Sequence, residues 1–593
     1  MQPPVGRAPL AALMGLAWSL AGPVGPTMAA PTPDVGLYRV FQTSVENHQP
    51  YENKFADVEL RCTYTAPSGR EIDFIGFFDG DGEGGGDVGS GHVWKMRFMP
   101  DELGEWRYRW SWSDGTEGGS GRFLAVSEGA GKGVLRPYEE NPRWFAYNGT
   151  EPVWLKSYYE TGHGSIAQPF DWVAANVYQP LVERGYNHLQ VNWLLSLCCF
   201  GQYYKDGPDP ATQDLTLYEE GRASSTMRLD VWRMMERHLG WLNDRDVGVH
   251  MFLGFEGRKN DGPRWEALSE EEKDFYVRYV VARLGPYANL AGWNFVWEDP
   301  GHRETHELGL ARLLEKHDVF DHLRTYQDEH PRDNEYERPE YTFAAIENHQ
   351  IAAPGRPLDV LYRKTPWTHH QASLLAYVPG KPVFMSEGNA LWRRYWHERT
   401  GATQDDLRRA AWGTATAGAS FCWNGHAREY DLYVRGPEGM PFHGDDNPYT
   451  ASARYVDILA DVMNDEVVFH RMTPHDFALT DHDPLRVWCL AEPGRQYLTF
   501  ATAGEPFTLH LAPGSYVRNV WVDARTGAQR PAPHTQVSTG EVATERAPDM
   551  PDERRVGTKG VSFAPPDRDT DWVLLLRAGE PSHKSRAPRE SRR

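Results

Sequence analysis

P-V-F-M-S-E-G-N (residues 382–389) is a short apolar run that ends in a glutamate, and W-N-F-V-W-E-D (residues 293–299) repeats this pattern about ninety residues earlier. Both stretches lie in a segment where strand-like and helix-like patterns alternate. A short apolar run followed by an amphipathic helix is the repeating unit of a parallel β/α fold. The two stretches therefore predict buried parallel strands, each with an acid at its carboxyl end.

This alternation extends over residues 145–466 and contains eight strand signals. The carboxyl ends of the predicted strands lie near Tyr158, Trp193, Phe255, Glu298, Tyr326, Asn348, Glu387 and Trp423. Amphipathic patterns between them predict helices, among them residues 227–243, 272–284 and 405–416. Ser269 and Glu272 have the spacing of a capping box at the start of the second of these helices. Eight parallel strands over about 300 residues indicate a closed (β/α)8 TIM barrel.

Strand-rich segments flank the predicted barrel. Residues 106–112, W-R-Y-R-W-S-W, alternate apolar and polar side chains, which is the period of a half-buried strand. Regularly spaced strand signals predict an N-terminal β-sandwich over residues 35–127 and a C-terminal β-sandwich over residues 474–578. The predicted fold class is therefore α/β, a (β/α)8 TIM barrel between two β-sandwich domains.

The charge and the cysteine pattern exclude several classes of function. With 62 Lys and Arg against 83 Asp and Glu, the formal net charge is −21, which disfavours nucleic acid or an anionic membrane as partner. The five cysteines show no zinc spacing, and no H-E-x-x-H pair or phosphate-binding glycine loop occurs. The acidic loop D-G-D-G-E-G (residues 79–84) resembles the start of a calcium loop, but Ser90 occupies the position of the closing Glu. We therefore expect no metal and no cofactor.

The first 30 residues have the pattern of an export signal. Arg7 precedes an apolar stretch from Ala8 to Ala21, and the small residues Ala29 and Ala30 follow further on. A disordered start or a lipid-proximal anchor is the alternative, because Met28 weakens the cleavage pattern. No other segment is long and apolar enough to span a bilayer. We expect a secreted or periplasmic protein with a charged, disordered tail over residues 582–593.

Glycosidases use a pair of carboxyl groups that flank the scissile bond. Two acids at the carboxyl ends of different barrel strands can form such a pair, because those ends converge on one face. One acid protonates the departing oxygen, and the other acts on the opposite side of the sugar ring. Glu298 and Glu387 are the predicted catalytic pair. Strand alternation places Asn294, Val296 and Glu298 on one face and Asp299 on the other, so only one acid can face the substrate. Glu298 is preferred because a Glu also reaches further into the pocket, with Asp299 as the alternative.

Sugar recognition needs flat apolar rings and planar amide or imidazole groups, and the other predicted strand ends supply them. The candidates for substrate binding are Tyr159, Asn192, Trp193, Asp299, His349, Trp392 and Trp423. Each also has a structural alternative, because barrel aromatics often pack the core.

Several motifs resemble a known family. G-F-F-D-G-D-G (residues 76–82), W-K-M-R-F-M-P (94–100) and G-E-W-R-Y (104–108) resemble the uncharacterised β-sandwich that precedes many bacterial glycosidase barrels. The barrel resembles the apiosidase-like group of glycoside hydrolases, within the superfamily of retaining TIM barrels. W-V-D-A-R-T-G (521–527), F-A-P-P-D (563–567) and D-W-V-L-L-L (571–576) resemble the collagen-binding-type β domain of that group.

The resemblance implies a retaining mechanism. Glu298 matches the strand-four acid/base, Glu387 in M-S-E-G-N matches the strand-seven nucleophile, and His349 falls where a strand-six residue contacts the sugar. The chain departs from the family at strand four, where W-E-D (residues 297–299) replaces both a glycine-rich turn with Asp and the Asn-Glu of the wider superfamily. Apiose is therefore not the expected substrate.

The sequence leads to one main hypothesis, a secreted glycoside hydrolase that cleaves a polysaccharide or oligosaccharide by double displacement through Glu298 and Glu387. A non-catalytic carbohydrate-binding or surface-adhesion protein on a barrel scaffold is the alternative from another class. A polysaccharide lyase is disfavoured, because an acidic sugar needs positive charge to hold it.

Overall fold

Strands between residues 34 and 126 form two packed β-sheets. The computed structural model describes residues 32–83, 85, 90–160, 169–191, 193–194, 227–253, 268–297, 307–328, 335–348, 366–388, 404–423, 448–538 and 558–579. The predicted export signal (1–30) and tail (582–593) lie outside this range. The first strands are β1 (Asp34–Gly36), β2 (Phe41–Glu46), β3 (Leu60–Thr65), β4 (Glu71–Ile75), β5 (Phe77–Phe78), β6 (Val93–Phe98), β7 (Gly104–Trp112) and β8 (Gly119–Val126). One sheet has the order β1-β8-β7-β3-β4 and the other β2-β6-β5.

Aromatic side chains join these sheets face to face. Phe41 of β2 stacks on Phe123 of β8 with ring centroids 4.1 Å apart. In β7, Trp106 and Trp112 are buried while Arg107 is exposed, which is the alternation expected for this segment. The alternating rings of β7 therefore supply part of the core between the two sheets.

A short antiparallel sheet leads from this region into the barrel. Its strands are β9 (Leu135–Pro137), β10 (Phe145–Tyr147) and β11 (Glu151–Val153), with β10 in the middle. The ring of Phe145 meets that of Phe343, with centroids 5.8 Å apart, and Phe343 directly precedes the sixth barrel strand. The small sheet thus packs against the amino-terminal end of the barrel.

Eight parallel strands close into the predicted barrel. They are β12 (Lys156–Glu160), β13 (His188–Val191), β14 (Gly248–Phe252), β15 (Leu290–Trp297), β16 (Leu323–Asp328), β17 (Ala344–Asn348), β18 (Val383–Gly388) and β19 (Ser420–Trp423). The strands stand in chain order and β12 pairs with β19, which confirms the fold class. The largest error in a predicted strand end is at the third strand, which ends at Phe252 instead of Phe255.

Helices follow the barrel strands in the chain. They are α1 (Phe170–Val173), α2 (Gln179–Glu183), α3 (Leu229–Asn243), α4 (Glu270–Leu284), α5 (Glu307–His317), α6 (Pro366–Leu375), α7 (Gln404–Thr416) and α8 (Pro448–Asp461). The predicted capping box begins α4, where the Ser269 hydroxyl accepts from the backbone N–H of Glu272 and the Glu272 carboxylate accepts from that of Ser269. None of the helices in the described part of the chain is long and apolar enough to cross a membrane.

The chain ends in a second strand-rich region. Its strands are β20 (Thr473–Pro474), β21 (Leu479–Thr480), β22 (Val487–Glu492), β23 (Gln496–Ala501), β24 (Phe507–Leu511), β25 (Gly514–Tyr516), β26 (Val520–Asp523), β27 (Gln529–Pro531), β28 (Thr535–Val537), β29 (Lys559–Phe563) and β30 (Trp572–Arg577). Six of these strands form a sheet in the order β20-β22-β23-β30-β26-β27, and β21-β24-β29 and β25-β28 form smaller sheets.

The six-stranded sheet packs on the barrel helix α7. Phe500 of β23 stacks on Trp412 with centroids 5.6 Å apart. The carboxylate of Asp571 accepts hydrogen bonds from Arg408 Nε at 3.0 Å and from Arg409 Nε at 2.9 Å. Because Asp571 is fully buried, these two guanidinium groups compensate a charge that would otherwise destabilise the interface.

A second buried charge cluster joins the N-terminal sheets to the barrel. Glu236 of α3 accepts from Arg97 of β6 at 2.9 Å and also pairs with Arg283 of α4. Asp79, the first residue of the calcium-like loop, pairs with Lys95 at 2.6 Å and with Arg283 at 3.1 Å. Burial opposes the charge of Glu236, but Arg283 and Arg97 together outweigh it and lower its pKa to about 2.

We predict that Glu236→Gln lowers the free energy of unfolding by about 3 kcal/mol, because it leaves two buried guanidinium groups without their shared carboxylate. Chemical denaturation of the whole chain measures this change. Glu105→Gln is the matched control, because Glu105 pairs with Arg107 and Arg122 on the exposed side of β7. An equal loss of stability in both variants would contradict the prediction.

The carboxylate of Glu236 also makes the free energy of unfolding depend on pH. The pKa of Glu236 is lowered in the folded state, from an ordinary value of 4.5 to about 2. Its contribution to stability is therefore complete above about pH 4.5 and is lost as the pH falls through about 2. The difference in unfolding free energy between the wild type and Glu236→Gln should shrink over that interval. A difference that grew on acidification would contradict the assignment.

Candidate active site

Side chains from strands that are not neighbours meet inside the barrel and identify its interior face. Gln190 of β13 donates from Nε2 to Oε1 of Gln327 of β16 at 3.0 Å. His188 of β13 lies against Phe384 of β18 with ring centroids 5.1 Å apart. Since β13 is adjacent to neither β16 nor β18, these contacts cross the barrel. Side chains that alternate in step with these four line the interior.

The middle of the interior is packed with neutral side chains. Ser157 Oγ and His188 Nδ1 lie 2.7 Å apart, and the ring of His250 lies 5.7 Å from that of Phe384. Burial lowers the pKa of His250 to about 3, and burial followed by the neighbouring His250 lowers the pKa of His188 well below its usual range. Both rings are therefore uncharged at neutral pH, and this layer forms a floor below the strand ends.

Above this floor, one amide holds two buried carboxyl groups. Gln327 Nε2 donates to Oε2 of Glu387 at 2.9 Å and to Oε2 of Glu347 at 3.1 Å. Glu387 is the penultimate residue of β18 and is 2% exposed, and Glu347 is the penultimate residue of β17 and is 0% exposed. Because both oxygens contact the same nitrogen, they lie at most about 6 Å apart. The structure thus brings a second acid next to the predicted nucleophile.

A β-bulge directs Glu387 into the interior. The register between β17 and β18 shifts so that Glu347 pairs with Glu387, which leaves Ser386 as an extra residue in β18. Phe384 faces the interior, so simple alternation would put Ser386 inside and Glu387 outside. The extra residue reverses this order, and the Ser386 hydroxyl donates to the carbonyl of Ile346 at 3.0 Å. Bulges that re-aim a side chain are common beside active sites.

Gly388 follows Glu387 and lies in tight contact with its neighbours. A Cβ atom at this position would lie 2.6 Å from Cε2 of Phe421 and 2.8 Å from Cγ of Met385. Cys422 lies in the same wall, where burial first and then the charge of Glu387 raise the pKa of its thiol, against the lowering effect of the Ser157 hydroxyl. Cys422 is therefore an uncharged packing residue beside the carboxyl group.

The predicted acids of strand four, Glu298 and Asp299, lie outside the described residues. The structure nevertheless corrects the argument that preferred one of them. Against β16 the register of β15 shifts between Asn294 and Trp297, which inserts one residue into β15. Alternation counted from Asn294 therefore does not extend to the strand end. Both acids remain candidates for the acid/base.

Of the predicted substrate-binding residues, Tyr159 faces the barrel interior. It shares a face of β12 with Ser157, and its register partner in β13 is Gln190. Tyr159 therefore lines the interior near the level of Gln327, and it is 2% exposed.

Trp423 and Trp193 are placed differently. Trp423 is the register partner of Tyr158, which alternates with the interior residues of β12 and so faces outward. Its ring contacts Tyr158 and Tyr186 with centroids 5.4 and 6.0 Å away. The ring of Trp193 lies 5.7 Å from that of His238 on α3. Both rings therefore have neighbours outside the barrel interior, and their role in substrate binding stays a prediction. The remaining predicted contacts, Asn192, Asp299, His349 and Trp392, lie outside the described residues.

Sequence reasoning missed Glu347, Gln327 and Gln190. The signal for Glu347 was present, because A-A-I-E-N (residues 344–348) also carries an acid at the end of a predicted strand. The glutamines carry no such signal, since an amide inside a barrel is recognisable only by its partners. No group of three or more His, Cys, Asp or Glu side chains that could hold a metal ion occurs within the described part of the chain.

Comparisons with known proteins agree with this architecture. A family model described as a domain of unknown function, DUF5060, matches residues 34–113, which is most of the N-terminal sheet region. No curated protein matches the chain. The apiosidase-like group and the collagen-binding-type domain stay predictions.

Two solved structures from Bacteroides vulgatus ATCC 8482 are similar. A candidate glycoside hydrolase is 17% identical with a TM-score of 0.66, and the match covers 92% of this chain and 100% of that one. A glycoside hydrolase family 5 protein is 18% identical with a TM-score of 0.55, and the match covers 75% of this chain and 93% of that one. At these identities the similarity shows a shared fold.

We predict that Gly388→Ala lowers the free energy of unfolding by about 2 kcal/mol, because overpacking of this size forces neighbouring groups to move. Gly240→Ala is the matched control, since the nearest atom to its added Cβ would be 3.8 Å away in Tyr287 and alanine favours the helix. Thermal unfolding of the two variants measures the difference. A Gly388→Ala protein as stable as Gly240→Ala would contradict the described packing.

Proposed function

We propose that the protein is a glycoside hydrolase that cleaves a polysaccharide or oligosaccharide with retention of configuration. The observation that carries this proposal is the carboxyl group of Glu387, which the Ser386 bulge turns into the barrel interior and which Gln327 holds at 2.9 Å. It lies at the carboxyl end of a barrel strand, where the active sites of TIM-barrel enzymes are found. The similar fold of two proteins named as glycoside hydrolases supports the same conclusion.

In the proposed mechanism Glu387 attacks the anomeric carbon of the bound sugar. The bond from this carbon to the departing oxygen breaks, and a strand-four acid gives that oxygen a proton, which leaves a covalent glycosyl-enzyme. The same acid, now ionised, takes a proton from water, and the water oxygen replaces Glu387 on the carbon. Glu298 is our first choice for this acid, with Asp299 as the alternative. Retention requires its carboxyl group to lie about 5 to 5.5 Å from that of Glu387.

Polar groups that face the barrel interior favour a neutral sugar. Neither amide atom of the fully buried Asn294, nor Oε1 of Gln190, has a hydrogen-bond partner among the residues that the structure describes. Buried amides in this state indicate a place for water or ligand hydroxyl groups. We extend the binding site to Tyr159, Asn192, His349 and Trp392.

The location of the protein is part of the proposal. Residues 1–30 would direct export, and the mature protein would be secreted or periplasmic. A poly- or oligosaccharide outside the cytoplasm is then the substrate that such a protein meets. The terminal sheet regions would serve as accessory domains of the barrel.

We predict that Glu387 becomes covalently labelled by mechanism-based inactivators of retaining glycosidases. A panel of 2-deoxy-2-fluoroglycosyl fluorides that differ in sugar is incubated with the full chain, and peptide mass spectrometry locates the adduct. Glu387→Ala should not be labelled and should lose hydrolysis of any substrate by about 10,000-fold or more, as removal of a nucleophile does elsewhere. Glu236→Gln, altered away from the barrel interior, should keep its label.

Three outcomes would contradict this proposal. An adduct on another residue, or near-normal turnover by Glu387→Ala, would remove the nucleophile assignment. Glycan binding with neither label nor released product across the panel would favour the alternative, a carbohydrate-binding or adhesion protein.

A further inference from the structure

The side-chain amide of Gln327 connects three other buried residues. Its Oε1 accepts from Nε2 of Gln190 at 3.0 Å. Its Nε2 donates to Glu347 at 3.1 Å and to Glu387 at 2.9 Å. These side chains come from the second, fifth, sixth and seventh barrel strands, and each is 0–2% exposed.

These contacts allow the amide only one orientation. A reversed amide would set its oxygen against two carboxyl groups and its NH2 group against that of Gln190. The carbonyl oxygen of Gln327 thus accepts from Gln190, and one of its two N–H groups donates to Glu347. The remaining N–H points at Oε2 of Glu387. Hydrogen bonds of an amide to carboxylates are stronger than those between neutral groups, so the arrangement is well held.

We infer that Glu347 is a positioning residue that acts through Gln327 to fix the carboxyl group of Glu387. The inference rests on the proposed function in one respect, namely that Glu387 is the attacking group. Without an acceptor at position 347, one N–H of Gln327 would be buried without a partner and the amide would turn to satisfy it. Glu387 would then lose its hydrogen bond to Gln327, which helps to set its direction of attack.

The bulge in β18 makes this arrangement possible. It makes Glu347 and Glu387 register partners on adjacent strands, so that both side chains reach the same nitrogen. The two acids are thereby linked through a donor between them. A reacting acid must exchange a proton or form a bond. Glu347 needs only to place a hydrogen-bond acceptor, on a side chain of this length, against Gln327.

The test compares Glu347→Ala with Glu347→Gln in the full chain, on any substrate that the wild type cleaves. In Glu347→Ala we expect kcat to fall about 100-fold with KM within about threefold, since a small misplacement of a reacting group costs this much. In Glu347→Gln we expect kcat within about fivefold of the wild type, because the new amide oxygen still accepts from Gln327. Glu236→Gln, which alters a buried glutamate in the N-terminal interface, should keep the wild-type kcat.

Crystal structures of the two variants give a readout that needs no activity. The distance from Gln327 Nε2 to the Glu387 carboxyl group should exceed 3.5 Å in Glu347→Ala and remain near 2.9 Å in Glu347→Gln. Should Glu347→Ala fail to fold, Gln327→Met replaces it, because loss of the bridging amide must cause the same fall in kcat. In the Gln327→Met background, Glu347→Gln should then have no further effect.

Two results would overturn the inference. Glu347→Ala with the Gln327–Glu387 contact intact would show that Glu347 does not position the carboxyl group. Equal losses of kcat in Glu347→Ala and Glu347→Gln would show that the carboxyl group of Glu347 itself reacts. If the wild type hydrolyses no glycoside, the proposed function fails, while the distances in the variant crystals still decide the positioning role.

Discussion

The pairing of the first barrel strand with the last is the constraint on which the rest of the structure depends. Once β12 and β19 are hydrogen-bonded, the sheet has a single closed interior, and side chains from opposite walls must share it. This is why an amide on the fifth strand can contact residues of the second, sixth and seventh strands. A sheet left open between β12 and β19 would allow Gln190 on the second strand to separate from Gln327, and the amide that holds the two buried acids would lose its partner across the barrel.

The strands of the barrel were predictable from the sequence, but the faces of two decisive strand ends were not. Apolar runs and amphipathic helices are recognisable from local sequence patterns, without knowledge of the tertiary contacts. The faces at Glu387 and near Glu298 depend on extra residues in β18 and β15, and these are defined only by pairing with neighbouring strands. Trp423 shows the same limit, since its place at a strand end was predicted correctly while nothing in the sequence indicated its outward direction.

Buried charge holds both terminal regions against the barrel. Glu236 contacts two arginines on the N-terminal side, and Asp571 contacts two on the C-terminal side. An apolar contact would tolerate sliding, whereas a buried carboxylate is stable only where its partners lie. These pairs join residues far apart in the chain, so no local pattern reveals them. They fix the terminal regions on helices α3, α4 and α7, which connect strands of the barrel.

The six-stranded sheet near the C-terminus is covered on both faces. In β22, β23 and β30 nearly every side chain is buried, because one face lies against α7 and the other against the smaller sheets. Neither face of such a sheet is suited to contact with water, so excision of the C-terminal region would expose an apolar surface. The C-terminal region and the barrel would therefore behave as one unit. Gene fusions or truncations that cut near residue 470 would give two aggregation-prone fragments and not two independently folding domains.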